Sequence, residues 1–143
     1  MENSIMNNKK IIYVIINPNA KKFRTGRSSL NSYLRLMSDT VKILTPATIN
    51  ELNNAAREMT NINPDYICIA GGDGTLHIVL SSLINNFYPA PVPPILILKE
   101  GTMDNVAKTI NLKGRGPQLL KRLINITVNN NYKIEFHERY TIK

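Results

Sequence analysis

Four short apolar runs, rich in β-branched residues, alternate along this chain with segments of helical periodicity. The runs cover residues 11–16, 41–44, 66–70 and 95–98. Each is nearly uninterrupted, which is typical of a strand covered on both faces, and strands of this kind form parallel sheets. The alternation therefore predicts an α/β fold with a doubly wound, mainly parallel sheet and helices on both faces. In such a fold, ligands bind beyond the carboxyl ends of the strands.

The helices between the runs are predicted from apolar spacing and from residues that favour helix starts. Thr48 and Glu51 form a capping box that opens one helix, and Pro117 occupies a favoured first position of another. The remaining helical patterns cover residues 76–84, 103–110 and, more weakly, 28–37. From residue 132 to 142, apolar and polar residues alternate as in a half-exposed strand.

The third apolar run leads directly into the sequence Ala70-Gly71-Gly72-Asp73-Gly74-Thr75. Its glycines permit positive φ and remove Cβ atoms that would keep a bulky anion from the main-chain N–H groups, and the helix that follows adds the positive end of its dipole. Asp73 would repel phosphate directly, so its presence indicates Mg²⁺ handling or proton transfer. The segment therefore predicts a polyphosphate site. The alternative is an ordinary Gly-Asp-Gly turn.

Two other distinctive loops follow strands of the predicted sheet. Residues 17–21, Asn-Pro-Asn-Ala-Lys, come after the first run, and residues 99–105 come after the fourth. Because the carboxyl ends of parallel strands meet at one edge of the sheet, we expect both loops to converge with the glycine segment.

Composition limits the class of protein further. A chain of 143 residues with 43% hydrophobic residues suits one domain, and its lone cysteine, Cys68, lies within an apolar run and is expected in the core. The sequence shows neither the run of about 20 apolar residues that spans a bilayer nor a signal-peptide segment at its polar start. We therefore expect a cytoplasmic protein.

The charge of the chain is unevenly distributed. The formal net charge is +8, and residues 3–38 and 105–134 contain no acidic residue. Such a field favours polyphosphate, an anionic membrane surface or nucleic acid as a partner. Nucleic acid is the least favoured of the three, because the basic residues lack the interleaved aromatic residues of a stacking surface.

The ordered motifs resemble the catalytic domain of the diacylglycerol kinase and lipid kinase family. They are Asn17-Pro18, the glycine segment from Gly71 to Thr75, and Gly101-Thr102 followed by Asn105. The glycine segment is shared by the wider superfamily of NAD kinases, and the later Gly-Thr element favours the lipid branch. The resemblance implies an N-terminal domain of the NAD kinase and diacylglycerol kinase type. It also implies an ATP-dependent kinase that uses Mg²⁺ and transfers the γ-phosphoryl group to a lipid hydroxyl.

The same resemblance gives roles to particular residues. Those implied to contact the nucleotide are Asn17, Thr45, Gly71, Gly72, Asp73, Gly74, Thr75, Gly101, Thr102 and Asn105. Asp73 is in addition the implied catalytic and metal-binding residue. For Thr45 and Thr102, helix capping is an equally good interpretation.

The chain departs from the family pattern at two places. His77-Ile78 stands where the family usually has an Asn-Glu pair, which removes one polar contact to the nucleotide or metal. Lys99-Glu100 replaces the usual proline and small residue before Gly-Thr, and Met103-Asp104-Asn105 replaces the usual Gly-Asn-Asp. We expect His77 to lie on the surface rather than to act as a base.

These observations divide the chain into three parts. Residues 1–9 are predicted to be a flexible N-terminus, residues 10–131 the nucleotide-binding catalytic domain, and residues 132–143 a strand that leads to a β-rich second domain. The resemblance implies that this second domain closes the cleft, so we expect the chain alone to bind ATP or ADP weakly and to turn over little.

The expected partners are a lipid substrate at an anionic membrane surface, which makes the protein peripheral at the membrane, and a second copy of the chain as a homodimer. Two other functions stay open. One is a NAD kinase-like enzyme, which the Gly101-Thr102 element disfavours. The other is a non-catalytic nucleotide-binding module, which His77-Ile78 favours.

Overall fold

A computed structural model of the chain describes residues 9–100, 113–129, 134 and 136. Its strands are β1 (Ile12–Ile16), β2 (Val41–Leu44), β3 (Tyr66–Gly71) and β4 (Ile95–Lys99). Its helices are α1 (Lys21–Arg24), α2 (Leu30–Leu34), α3 (Ile49–Ile62), α4 (Asp73–Phe87) and α5 (Gly116–Asn129). The four strands predicted from the apolar runs over residues 11–16, 41–44, 66–70 and 95–98 are each confirmed to within one residue at either end.

The four strands form one parallel sheet in the order β2-β1-β3-β4. The register aligns their carboxyl ends, since Ile15 pairs with Leu44, Ile16 pairs with Ala70, and Gly71 pairs with Lys99. The predicted doubly wound α/β fold is confirmed. The loops after β1, β2, β3 and β4 therefore leave from one edge of the sheet.

Helices cover both faces of the sheet, and each face has its own core. On one face, α2 and α5 pack over side chains of β1, β3 and β4; its buried residues include Val14, Tyr33, Cys68, Leu98 and Leu120. On the other face, α3 and α4 pack over the alternate side chains of β1 and β3; its buried residues include Tyr13, Leu52, Ile69, Val79 and Leu83. This alternation explains why the apolar runs are nearly uninterrupted.

Cys68 is fully buried in the first of these cores, as predicted. Burial raises the pKa of its thiol well above its ordinary value, because the thiolate would lose its hydration there. The thiol is therefore a packing group.

The start of α3 follows the predicted capping box. The Thr48 hydroxyl accepts a hydrogen bond from the Glu51 amide at 3.1 Å, and the Glu51 carboxylate accepts from the amides of Thr48 at 3.3 Å and Ala47 at 2.6 Å. Beyond its first turn, α3 packs against α4, and the Ser82 hydroxyl donates to Asn53 Oδ1 at 2.6 Å. These contacts set the two helices side by side.

Other predictions of secondary structure have mixed outcomes. The last helix begins at Gly116, one residue before the predicted start at Pro117, and the weak pattern over residues 28–37 is confirmed only as the short helix α2. The predicted helix over residues 103–110 lies outside the described residues, as does nearly all of the predicted strand at 132–142. Within the described residues, no helix has the length and apolar character to cross a membrane.

Candidate functional site

The glycine segment forms a tight junction between β3 and α4. β3 ends at Gly71, Gly72 is the N-cap residue in an extended conformation, and α4 begins at Asp73. Among the described residues, no side chain caps this helix start. The first amides of a helix have no partner within the helix, so the main chain here presents N–H donors beyond the edge of the sheet.

In this segment, glycine is needed where other atoms come close to the main chain, and not because the backbone adopts an unusual conformation. The predicted use of positive φ is wrong, because the described glycines with positive φ are Gly26 and Gly114. A Cβ atom on Gly71 would lie 2.5 Å from the Cβ and Cγ2 atoms of Thr75, so only glycine fits there. A Cβ atom on Gly74 would meet no atom within 4 Å, so protein packing does not explain that glycine.

The loop after β1 is bound to the first turn of α4. Asn17 Nδ2 donates to the Thr75 hydroxyl at 2.9 Å, and the Asn17 amide donates to the Ala70 carbonyl at 3.0 Å. Asn17 Oδ1 also accepts from the Asn19 amide at 3.0 Å, which fixes the turn that follows. The structure thus brings together Asn17 and Thr75, two residues that are 58 positions apart and that sequence reasoning placed in one site.

A pocket of about 160 Å³ opens beside this hydrogen bond. It lies between the end of β1, the start of α3 and the first two turns of α4. Asn17 and Thr75 line it, and its other walls are mainly apolar: Ile15, Ile16, Pro46, Ala47, Thr48, Ile49, Leu52, Ile78 and Val79. Thr45 is exposed directly after β2 and is not part of this lining. Thr48 and Ile78 were not predicted as site residues.

The carboxyl end of β4 carries a buried acid that sequence reasoning noticed only as a departure from the family. Glu100 is 1% exposed and accepts hydrogen bonds from the hydroxyls of Ser28 and Tyr33. Burial, and then the hydrogen bond to Glu100, raise the pKa of Tyr33 far above its ordinary value, so its hydroxyl stays protonated and donates. A Cβ atom on Gly116 would collide with this hydroxyl, which explains the glycine at the start of α5.

Basic residues of α1 stand at the same edge. The Lys22 ammonium donates to the Lys99 carbonyl at 3.4 Å, which joins α1 to the end of β4. Lys21 and Arg24 are exposed on the same short helix. His77, as predicted, lies on the surface.

The carboxylates at this edge are compatible with a magnesium ion that binds together with phosphates. Among the described residues, no group of three or more His, Cys, Asp or Glu side chains could hold a metal by itself. Mg²⁺ is commonly held by one or two carboxylates together with substrate phosphates and water. Of the two carboxylates at this edge, Asp73 is partly exposed at the start of α4, whereas Glu100 is buried and accepts hydrogen bonds from two hydroxyls. Gly101, Thr102 and Asn105 lie outside the described residues.

Comparison with known proteins identifies the class of domain. The family model of the diacylglycerol kinase catalytic domain matches residues 11–132. This match covers most of the chain, and the chain therefore belongs to that family. It is a lipid-kinase-like domain of α/β architecture. No protein with a curated description matches the sequence significantly.

Solved structures share the fold at low sequence identity. The structure of a diacylglycerol kinase from Bacillus anthracis str. Sterne superposes with a TM-score of 0.58 and 20% identity, and it covers 81% of this chain and 40% of its own. A second diacylglycerol kinase-like structure from the same organism gives a TM-score of 0.57 and 19% identity, with 81% and 42% coverage. The chain thus spans about two fifths of the length of these structures.

Proposed function

We propose that this domain is the nucleotide-binding part of an ATP-dependent lipid kinase, with the phosphates of Mg-ATP at the start of α4. The observation that carries the proposal is the Asn17 to Thr75 hydrogen bond beside the helix start that no described side chain caps. It fixes the β1 loop against the first turn of α4, whose first amides have no partner within the helix. Family membership supports the use of a nucleotide.

Each residue then has a role that follows from charge and position. The amides of residues 72–75 would hold phosphate oxygens, and the absence of a Cβ atom at Gly74 would let the phosphates approach the main chain. When bound, Mg²⁺ would neutralise charge on the transferred phosphoryl group, and Asp73 is the residue proposed to hold it. Phosphoryl transfer depends mainly on such positioning and charge neutralisation.

The proposed acceptor is a lipid hydroxyl at an anionic membrane surface. The exposed cations Lys21, Arg24 and Arg27 on and after α1 support this, because they lie in an acid-free stretch near the ligand edge. The chain spans only part of the related structures, so we assign lipid recognition to the contact between this domain and the rest of the enzyme.

A non-catalytic nucleotide-binding module is the second candidate. One observation favours it: Ile78, which replaces the acidic residue that the family usually has, lines the pocket beside the nucleotide site. A phosphate-transfer assay on the protein joined to any downstream reading frame, with diacylglycerol, a sphingoid base and NAD as acceptors, separates these functions. Transfer to a lipid supports the kinase, and binding of Mg-ATP without transfer to any acceptor supports the module.

Nucleotide binding itself is tested by thermal unfolding of the 143-residue chain with ATP, with and without Mg²⁺. Ligands that bind only the folded state raise the unfolding temperature, so we expect a rise of several degrees that needs both ATP and Mg²⁺. Asp73→Asn should lose most of the dependence on Mg²⁺. The control is Asp39→Asn, which removes an exposed acid just before β2. This variant should retain the dependence on Mg²⁺. A wild-type chain whose unfolding temperature does not change with Mg-ATP would contradict the proposal.

A further inference from the structure

Three residues lie side by side where β1, β3 and β4 end. Ile16 is paired with Ala70 in the register of the sheet, so Asn17 comes next to Gly71, and Gly71 is itself paired with Lys99. Neighbouring strands are about 4.8 Å apart. Lys99 is therefore one strand away from the junction at which α4 begins.

The alternation of side chains along β4 determines the face of the sheet on which Lys99 lies. Leu98 packs in the core beneath α2 and α5, whereas Ile97 packs against the core beneath α3 and α4. Residues two positions apart in a strand share a face, so Lys99 lies on the face of Ile97, which α4 covers. The next residue, Glu100, contacts Tyr33 of α2 on the opposite face, as this alternation requires.

The first turn of α4 rests on this row of residues. Gly71 has no side chain, and Thr75 occupies the space that a Cβ atom would need there. Asn17 reaches the same turn from the β1 side, through its hydrogen bond to the Thr75 hydroxyl. Lys99 flanks the turn from the β4 side. The four-carbon stem of a lysine is longer than the spacing of two strands, so it can bring the ammonium to the helix start.

The charges at this helix start favour a cation on the β4 side. Asp73 carries a carboxylate in the first turn of α4, and a carboxylate repels phosphate groups. A positive charge at Lys99 offsets this repulsion. The family usually has proline at the position of Lys99 and an acid at the position of Ile78, so the two differences make this chain more positive by two charges next to the proposed phosphate site.

We infer that Lys99 is a phosphate-binding residue, whose ammonium pairs with the polyphosphate chain of the ligand on the β4 side of the α4 start. This inference rests on the proposed function. It adds a fixed cation to the main-chain amides of residues 72–75, and lysine binds phosphate as a compact point charge. Its partly buried stem limits the positions that the ammonium can take.

The test is calorimetric titration of the 143-residue chain and its variants with Mg-tripolyphosphate at physiological ionic strength. Lys99→Gln should weaken binding by about tenfold, because it removes the charge and keeps most of the stem. Lys99→Arg should stay within about threefold of the wild type, because it restores the charge. Neither change removes the main-chain carbonyl of residue 99 that accepts from the Lys22 ammonium.

Lys42→Gln is the matched control. It removes the same charge from β2, at the opposite edge of the described sheet and about 14 Å away across three strand spacings. Its affinity should change by less than about twofold, because the charge of an exposed residue is largely screened over that distance. Urea unfolding verifies that each variant is folded.

The possible results separate the inference from the function on which it rests. Equal binding by the wild type and Lys99→Gln would overturn the inference and leave the phosphate site standing. The same holds if Lys42→Gln loses as much affinity as Lys99→Gln, since net charge would then explain the loss, or if Lys99→Arg does not restore binding. If the wild type does not bind tripolyphosphate, the proposed function fails, and the inference fails with it.

Discussion

The starts of α3 and α4 lie at the same edge of the sheet and on the same face, yet they are built in opposite ways. The start of α3 is closed by its own side chains, through Thr48 and Glu51. The start of α4 follows Gly72, and no side chain within the described residues caps it. Both helices pack on the same core, so burial does not explain the difference.

The start of α3 contributes to stability, whereas the start of α4 is the one that we propose binds a ligand. A capping box satisfies main-chain donors and typically stabilises a helix start by about 1 kcal/mol, which is the usual solution when nothing else binds there. At α4 this stabilisation is forgone, while the adjoining Asn17 and Gly71 are fixed by close contacts. A helix start that is rigidly positioned but has no cap from the described side chains is suited to an anion site.

The largest expected effect comes from adding one methyl group at the β3 to α4 junction. Gly71→Ala should lower the free energy of unfolding by about 3 kcal/mol, because its Cβ atom would lie 2.5 Å from two carbon atoms of Thr75. Thr75 is in a helix and its Cβ atom cannot rotate away, so the main chain must shift. Urea unfolding measures the loss.

Gly74→Ala adds the same methyl group three residues further on, where no atom lies within 4 Å. Its free energy of unfolding should be equal to that of the wild type or higher by up to about 0.5 kcal/mol, since alanine favours a helix more than glycine does. Its affinity for Mg-ATP should nevertheless fall by about tenfold, because the methyl group would stand where we propose that phosphate approaches the amides. Unchanged affinity would show that this glycine has no part in ligand binding.

A smaller effect is expected at the capped helix. Glu51→Ala should lower the free energy of unfolding by about 1 kcal/mol, because it removes the acceptor for the amides of Ala47 and Thr48. The affinity for Mg-tripolyphosphate should change by less than about twofold, since we propose that the phosphates bind at α4. Urea unfolding and calorimetry measure the two quantities.

Glu58→Ala is the control for charge, because it removes an exposed acid from the middle of the same helix. Because Glu58 also accepts a hydrogen bond from the Tyr13 hydroxyl at 3.4 Å, this variant should lower the free energy of unfolding by about 1 kcal/mol, as Glu51→Ala does, and it serves as a control for ligand binding alone. Tripolyphosphate binding that strengthens strongly in Glu51→Ala but not in Glu58→Ala would show that the start of α3 also accepts an anion. The two helix starts would then differ in their caps but not in their ability to bind an anion.

The sequence predicts the parts of this fold that depend on local pattern. The strand boundaries and the Thr48 to Glu51 capping box follow from apolar runs and residue spacing, and parallel strands imply that the loops of Asn17 and Gly71 converge. The glycine conformation was predicted wrongly because β3 runs to Gly71 and only Gly72 separates it from α4. The requirement for glycine comes instead from a contact with Thr75 in the next turn.

Contacts between distant segments could not be predicted from pattern. Glu100 meets Tyr33 across 67 positions, and Gly116 lies against both. The buried acid at the end of β4 was visible only as an unusual residue before Gly101. Likewise, nothing in the spacing of Ile78 indicates that it lines a pocket, since its exposure and its neighbours depend on how α3 packs on α4.

Phosphate binding at the start of α4 can be measured residue by residue when the ¹⁵N-labelled chain is titrated with Mg-tripolyphosphate and the chemical shifts of its backbone amides are followed. We expect the amides of Gly72, Gly74 and Thr75 to shift most and to saturate together, while those of Asn50 and Glu51 at the start of α3 stay in place. Shifts that are largest at the start of α3, or that occur on α1 without any change at residues 72–75, would contradict it.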